Sequence, residues 1–237
     1  MIPRQLLRRI ARAAAQRYRR SGLFAYRFAL GKLARDPVFA ALLEHGMIPQ
    51  RARLLDLGCG QGVLAAWIDA ARASFHAQQW PKEWPPPPEP SDFHGIELMR
   101  RDVERARAAL GASARIDCAD IRTAEFGNAD VVIIMDVLHY MNLTEQEQVL
   151  TRVRSSIGEA GKLLLRVGDA AGGWRFKMSR WVDAAVLYVR GHRRAQLHCR
   201  SLQAWKDVLA NCGFSARSIP MSEGTLFANV LLVATPR

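Results

Sequence analysis

The sequence predicts an α/β domain of three layers built on a mostly parallel sheet, with a basic helical extension at its start and a helical lid inserted late in the chain. Three observations predict it. Short β-rich apolar runs alternate with helical stretches from Pro49 onward, the rhythm of repeated βαβ units. The first such run leads into closely spaced glycines, Leu54-Leu55-Asp56-Leu57-Gly58-Cys59-Gly60-Gln61-Gly62, and open α/β sheets place their ligands at the carboxyl ends of strands. The chain has 237 residues, 49% hydrophobic and 24% charged, enough to bury a sizeable core and far from the composition of disordered chains.

Residues 1–48 read as the extension and 49–237 as the domain proper. In the extension Ile2, Leu6, Ile10, Ala14 and Tyr18 recur every four positions while Arg4, Arg8 and Arg12 recur on the opposite side, the pattern of an amphipathic helix. The net charge is +12, and it is unevenly spread: residues 1–50 hold 10 basic and 2 acidic side chains, and residues 170–200 hold 7 basic and 1 acidic. The rest of the chain is close to neutral, so these two segments carry a field that attracts an acidic partner or an anionic surface. For the first of them two readings stand side by side, a helix that covers the domain with a solvated arginine face and a helix that docks a partner or membrane.

Seven strands are expected: Arg53 to Leu57, Asp92 to Glu97, Ala114 to Cys118, Asp130 to Met135, Lys162 to Val167, Ser215 to Pro220 and Leu226 to Ala234. Helices fill the intervals at Gly62 to Ala73, Met99 to Leu110, Thr144 to Ile157 and Ser201 to Cys212. Thr144, with Glu147 three residues on, reads as a capping box. Residues 78–92, with Trp80, Trp84 and the run Pro85 to Pro88, read as a stiff surface insertion. Cys59, Cys118, Cys199 and Cys212 include no C-x-x-C pair, which fits reduced thiols in the cytoplasm and no structural metal. No apolar run approaches the roughly 20 residues of a membrane-spanning helix.

The glycine loop is the sharpest local signal, because glycines let a ligand approach the backbone. A dinucleotide fingerprint needs G-x-G-x-x-G, and here the third glycine comes one position early, at Gly62. Asp56 before the first glycine would repel a pyrophosphate and suits a cationic ligand group. With these residues the chain resembles the class I S-adenosylmethionine-dependent methyltransferases, and the resemblance implies their Rossmann-like fold and S-adenosylmethionine as cofactor. It assigns Asp56, Gly58, Cys59, Gly60 and Gly62 to the cofactor loop, Glu97 with its neighbour Leu98 to the ribose hydroxyls, and Asp120 with Ile121 to the adenine. Asp136 and Val137, at the end of Asp130-Val131-Val132-Ile133-Ile134-Met135, resemble the fourth motif of the family, and Gly161 to Arg166 its fifth strand.

A sulfonium methyl is already activated, so such an enzyme must position a nucleophile and exclude water, with a base where the acceptor carries a proton. His139 is the candidate base, because it follows the fourth strand and titrates near neutral pH; a packing role is its alternative. Tyr140, Arg166, Trp174 and Arg175 are the candidate substrate contacts. The segment 170–200 interleaves arginines with Trp174, Phe176, Trp181 and Tyr188, a lid suited to an apolar substrate that carries an anionic arm. Nucleic acid is set aside, since Asp136-Val137-Leu138-His139 replaces the Asp- or Asn-Pro-Pro-aromatic stretch of base methylation and no Pro-Cys or Thr-Cys nucleophile occurs. The tail from Met221 to Leu231 with Arg166-Val167-Gly168-Asp169 resembles bacterial methyltransferases that accompany aryl polyene or fatty-acid-like biosynthesis. The expectation is methyl transfer to an oxygen or carbon of a small aromatic or acyl substrate. Its partners would be an acidic acyl carrier protein or an anionic membrane surface, with the protein peripheral to the inner membrane. The alternatives are a non-catalytic S-adenosylmethionine-binding or membrane-associated accessory protein and an RNA methyltransferase.

Overall fold

The computed structural model describes residues 2–168, 197–221 and 229–237, and the chain divides into two compact units, 1–124 and 125–237. The first unit opens with three helices, α1 (Ile2–Gln16), α2 (Leu23–Arg35) and α3 (Pro37–Glu44), with a short 3-10 turn at Arg19–Ser21 between the first two. The four-residue stripe behaves as expected. Leu6, Ile10, Ala14 and Tyr18 are buried, and Arg4, Arg8 and Arg12 are exposed. Each buried Leu or Ile contributes roughly 1.5–3 kcal/mol, so α1 is held by its packing, which includes contacts with α2 and with α4 (Val63–His76). Asp36 caps α3 by accepting from the Val38 amide at 3.2 Å, with Pro37 at the first helical position.

Three parallel strands follow: β1 (Arg53–Leu57), β2 (Asp92–Glu97) and β3 (Arg115–Cys118), in the order β3-β2-β1. Leu54 pairs with Phe93 and Leu57 with Ile96, while Glu97 pairs with Cys118. α4 ends at His76, beyond the expected Ala73, and α5 (Arg100–Leu110) joins β2 to β3. The proline-rich insertion is tied down rather than merely stiff. The Gln50 side-chain amide donates to the Pro86 and Pro87 carbonyls, the Trp80 indole donates to the Pro85 carbonyl, and the Arg51 amide donates to the Glu89 carbonyl at 2.9 Å. Pro81, Pro87 and Pro88 are buried.

The second unit holds β4 (Ala129–Met135), β5 (Ile157–Gly168), β6 (Phe214–Pro220) and β7 (Asn229–Pro236), in the order β4-β5-β7-β6. β4 and β5 are parallel, and β7 is antiparallel to both of its neighbours. The apolar runs Val131 to Ile134 and Leu163 to Leu165 are buried along their length, as strands covered on both faces must be. β5 starts five residues earlier than Lys162, because a bulge lets Ile157 pair with Ala129 before Lys162 resumes the ladder opposite Val131. β7 is described from Asn229, and the expected start at Leu226 lies outside the described residues.

α6 (Leu143–Ser156) and α7 (Leu202–Asn211) complete this unit. The cap of α6 corrects the expectation at Thr144. Asn142 is the N-cap: its side chain accepts from the Glu145 amide at 2.9 Å, and the Glu145 carboxylate accepts from the Asn142 amide at 2.9 Å. Thr144 then falls inside the first turn, where its hydroxyl has no first-turn amide to serve as a cap does. Asn142→Ala should lower stability by about 1 kcal/mol while Thr144→Ala costs little; urea unfolding of the two variants measures this, and equal losses would return the cap to Thr144.

Candidate functional site

At the carboxyl end of β1 the chain turns through Gly58, Gly60 and Gly62, all with positive φ of 56–75°, a region open to glycine at little steric cost. The Gly58 and Cys59 amides both donate to the Ile96 carbonyl, at 2.8 and 3.2 Å, which fastens the loop to the end of β2. Gly62 and Gly60 serve different needs. A Cβ on Gly62 would lie 2.6 Å from Leu110 Cδ1, so this glycine lets α5 pack close. A Cβ on Gly60 would meet nothing within 4 Å, which leaves its backbone open to approach. Gly95 on β2 is small for another reason: a Cβ there would stand 2.8 Å from Cys59 Sγ.

Glu97 closes the arrangement. One carboxylate oxygen accepts from the Gly60 amide at 2.9 Å and the other from the Met99 amide at 2.8 Å. Each oxygen keeps a further lone pair for a donor outside the protein. Glu97 is buried, whereas the adjacent Leu98 is 56% exposed. Asp56 is buried too, and that burial, reinforced by the charge of Glu97, pushes its carboxyl up to about 7. Burial also drives the Cys59 thiol well upward, with Asp56 and Glu97 adding to the effect, so Cys59 is a small space-filler rather than a nucleophile.

After β3, Asp120 receives the Arg122 guanidinium in a paired contact and the Arg122 amide at 2.9 Å. That hydrogen bonding holds its carboxyl below the usual carboxylate range. Ile121 beside it is buried.

In the sequence Tyr18 reads as one more apolar position of α1. Its hydroxyl donates to the Gln61 carbonyl at 2.9 Å, inside the glycine loop, and Arg17 pairs with Asp69 on α4. The only signal in the sequence was a phenol closing an otherwise aliphatic stripe.

A second constellation lies in the second unit, after β4. Asp136 has a φ of 58°, unusual for a residue with a side chain. The Arg166 guanidinium holds it there through Nε, at 2.9 Å, and through a terminal nitrogen, while the Asp136 amide donates to the Arg166 carbonyl. Arg166, expected as a substrate contact, is a buried side chain engaged with Asp136. Val137 is half-buried and leads into a 3-10 turn, Leu138–Tyr140. The His139 and Tyr140 rings lie 4.1 Å apart between centroids, and Tyr140 is exposed. Gln146 is fully buried on α6, and nothing in the sequence singles it out. Its side-chain amide reaches the carbonyls of Leu138, Met141 and His198 at 2.8–3.1 Å, and the His198 amide donates to the His139 carbonyl. Arg200 completes the tie through Gln146 Oε1 and Glu147. Trp174, Arg175 and the expected lid as far as residue 196 lie outside the described residues, as do 222–228 of the tail. Among the described residues no group of three or more His, Cys, Asp or Glu side chains could hold a metal.

A family model described as a methyltransferase domain matches residues 4–219. The carboxy-S-adenosyl-L-methionine synthase of Haemophilus ducreyi is 26% identical over 131 residues, 52% of this chain and 47% of that protein, so the match spans about half the length of the curated relative. Among solved structures, magnesium protoporphyrin IX methyltransferase from Synechocystis PCC 6803 with bound SAH is similar with a TM-score of 0.59, at 19% identity, over 94% of either chain. An O-methyltransferase family protein from Burkholderia thailandensis is similar with a TM-score of 0.63, at 19% identity, over 90% of this chain and 59% of its own. These likenesses bear out the mostly parallel α/β fold, of the Rossmann-like methyltransferase kind.

The Asp56 carboxyl carries a pH dependence with a definite sign. Folding raises it from 3.8 to about 7, so the folded chain binds the extra proton between those values and stability declines as the pH rises through that window. Asp56→Asn keeps the shape without the titration. Unfolding of the cofactor-free proteins at pH 5 and pH 7 should show a smaller difference for the variant, and the same difference in both would place the titration elsewhere.

Proposed function

The chain belongs to the class I S-adenosylmethionine-dependent methyltransferases, and from that membership we propose that it transfers the cofactor's methyl group to an oxygen or carbon of a small aromatic or acyl substrate, free or attached to an acidic carrier protein. The observation that carries the reading is the Glu97 carboxylate, anchored by two backbone amides at the mouth of the glycine loop with lone pairs to spare. The residues present fit the cofactor: Gly60 leaves room beside the backbone, and Asp56 is a buried acid that a neighbouring cationic group would drive to its charged form. When bound, S-adenosylmethionine supplies a methyl group already activated on sulfur.

The residues of the chain then have separate tasks. Asp56 and the loop from Gly58 to Gly62 receive the amino acid portion of the cofactor, Glu97 accepts from the ribose hydroxyls, and Asp120 with Ile121 serves the adenine. Asp136 and Val137 form the fourth motif, with Arg166 fixing the backbone of Asp136. His139 takes the proton of the acceptor, and Tyr140, Trp174 and Arg175 contact the substrate. In this reading residues 1–48 extend a domain that runs from 49 to 237. The cytoplasm is the proposed location, supported by cysteines that are not disulfide-bonded, and among the described residues no helix is long and apolar enough to cross a membrane. The basic segments serve an anionic partner, either a carrier protein or lipid headgroups.

Release of S-adenosylhomocysteine with a panel of aromatic and acyl acceptors tests the activity; cofactor binding without turnover on any acceptor would favour an accessory protein. Glu97→Ala should weaken S-adenosylmethionine binding by about 2–3 kcal/mol, and unchanged affinity by calorimetry removes the ribose assignment. His139→Ala should slow turnover by about 10²-fold at nearly constant cofactor affinity, with the loss shrinking at high pH as the acceptor ionises unaided. A small loss that does not vary with pH makes His139 a packing residue.

A further inference from the structure

α2 is inside out. It buries Ala25, Ala29 and Leu33, while Leu23, Phe24 and Phe28 stand 61%, 64% and 38% exposed. A helix held only by packing puts its largest apolar side chains inward, so this one presents them to something other than its own core. Their exposure is also ordered: the Phe24 and Phe28 rings stack at 6.4 Å between centroids, and Arg105 of α5 sits over the Phe24 ring.

The surroundings are cationic. α1 and α2 pack as a helical hairpin whose connection contains Arg19, Arg20 and Gly22, and Arg20 and Arg27 are exposed beside the apolar side chains. Arg19 lies over the Tyr26 ring. The arginines of α1 are exposed along its outer face, and no acidic residue precedes Asp36. The acidic groups near the hairpin are already engaged, Asp69 with Arg17, Asp102 with Arg105 and Asp36 with Lys32.

We propose that the α1–α2 hairpin docks on an anionic lipid surface, with Leu23, Phe24 and Phe28 entering the boundary between headgroups and acyl chains and the flanking arginines meeting lipid phosphates. The proposal rests on reading the basic segment as a surface for an anionic partner, and it selects the lipid. Arginines alone would serve an acidic protein equally well. Two adjacent phenylalanines and a leucine at the bend of a hairpin need a fluid apolar phase, which accepts protruding side chains without a matching pocket. Arginine charge draws the hairpin to the surface, and the apolar side chains set the residence there.

Co-sedimentation with vesicles tests this on the full chain. The protein should bind phosphatidylglycerol-rich vesicles, and hardly bind phosphatidylcholine alone. Leu23→Ser/Phe24→Ser/Phe28→Ser should reduce the partition coefficient by about tenfold or more, with circular dichroism and cofactor affinity unchanged. Arg20→Glu/Arg27→Glu should weaken binding as well and lower its salt sensitivity. Absence of binding by the parent chain, or equal binding by the triple Ser variant, overturns the proposal. So does capture of an acidic acyl carrier protein that depends on the same three side chains while vesicles are ignored. S-adenosylhomocysteine release, followed in solution without lipid, reports separately on the enzymatic reading.

Discussion

The first unit depends on a single junction, the close fastening of the glycine loop to the end of β2. Four backbone amides are spent on it: Gly58 and Cys59 on the Ile96 carbonyl, Gly60 and Met99 on the Glu97 carboxylate. A loop of glycines would otherwise lose much conformational entropy on ordering. Here Glu97 converts it into a fixed concave edge and is itself oriented by doing so. The arrangement brings two acids together in a buried place, and the raised Asp56 carboxyl is the electrostatic consequence. Two buried carboxylates this close favour keeping a proton on one of them.

The second unit solves a similar problem with ionic means. A non-glycine residue at φ 58° is strained, and Asp136 is held there by a buried guanidinium instead of by backbone freedom. Arg166 is the fully buried member of this pair, while the Asp136 side chain keeps part of its surface in solvent. The turn that carries His139 is set from the other direction by Gln146, whose amide group gathers carbonyls from Leu138, Met141 and His198. His139 thus sits in a turn with a defined course although the turn has only three residues.

Much of this was legible in the sequence because it rests on period and order. The alternation of apolar runs located the strands among the described residues, apart from the early start of β5; the spacing of Gly58, Gly60 and Gly62 located the loop, and the four-residue stripe in α1 located its buried face. What escaped notice depends on single polar atoms. A phenol in an aliphatic stripe does not announce that its hydroxyl will find the Gln61 carbonyl, nor does a glutamine on an amphipathic helix announce three carbonyl partners. Asn142 and Thr144 both precede an acid by three residues, and only the backbone at Asn142, extended with φ −66° and ψ 167°, decides which one caps. Helix α2 departs most from pattern, since Ala25 and Ala29 face inward while Leu23, Phe24 and Phe28 stand exposed.

The proline-rich crossing has a bearing on how this chain tolerates change. Its ties, from Gln50 and Arg51 to Pro86, Pro87 and Glu89 and from Ser91 to Ala52, all gather at the amino ends of β1 and β2, whereas Glu97 and the glycine loop occupy their carboxyl ends. The strands act as spacers between a rim fastened by the crossing and the rim that carries the glycine loop. Lys82 and Glu83 are exposed in a turn closed by the Trp84 amide on the Pro81 carbonyl and by the packed Trp80 and Trp84 rings, so their side chains can change without altering the separation of Asp56 from Glu97. That polarity makes the exposed side chains of Lys82 and Glu83 a natural seat for a reporter label, far along the strands from the glycine loop.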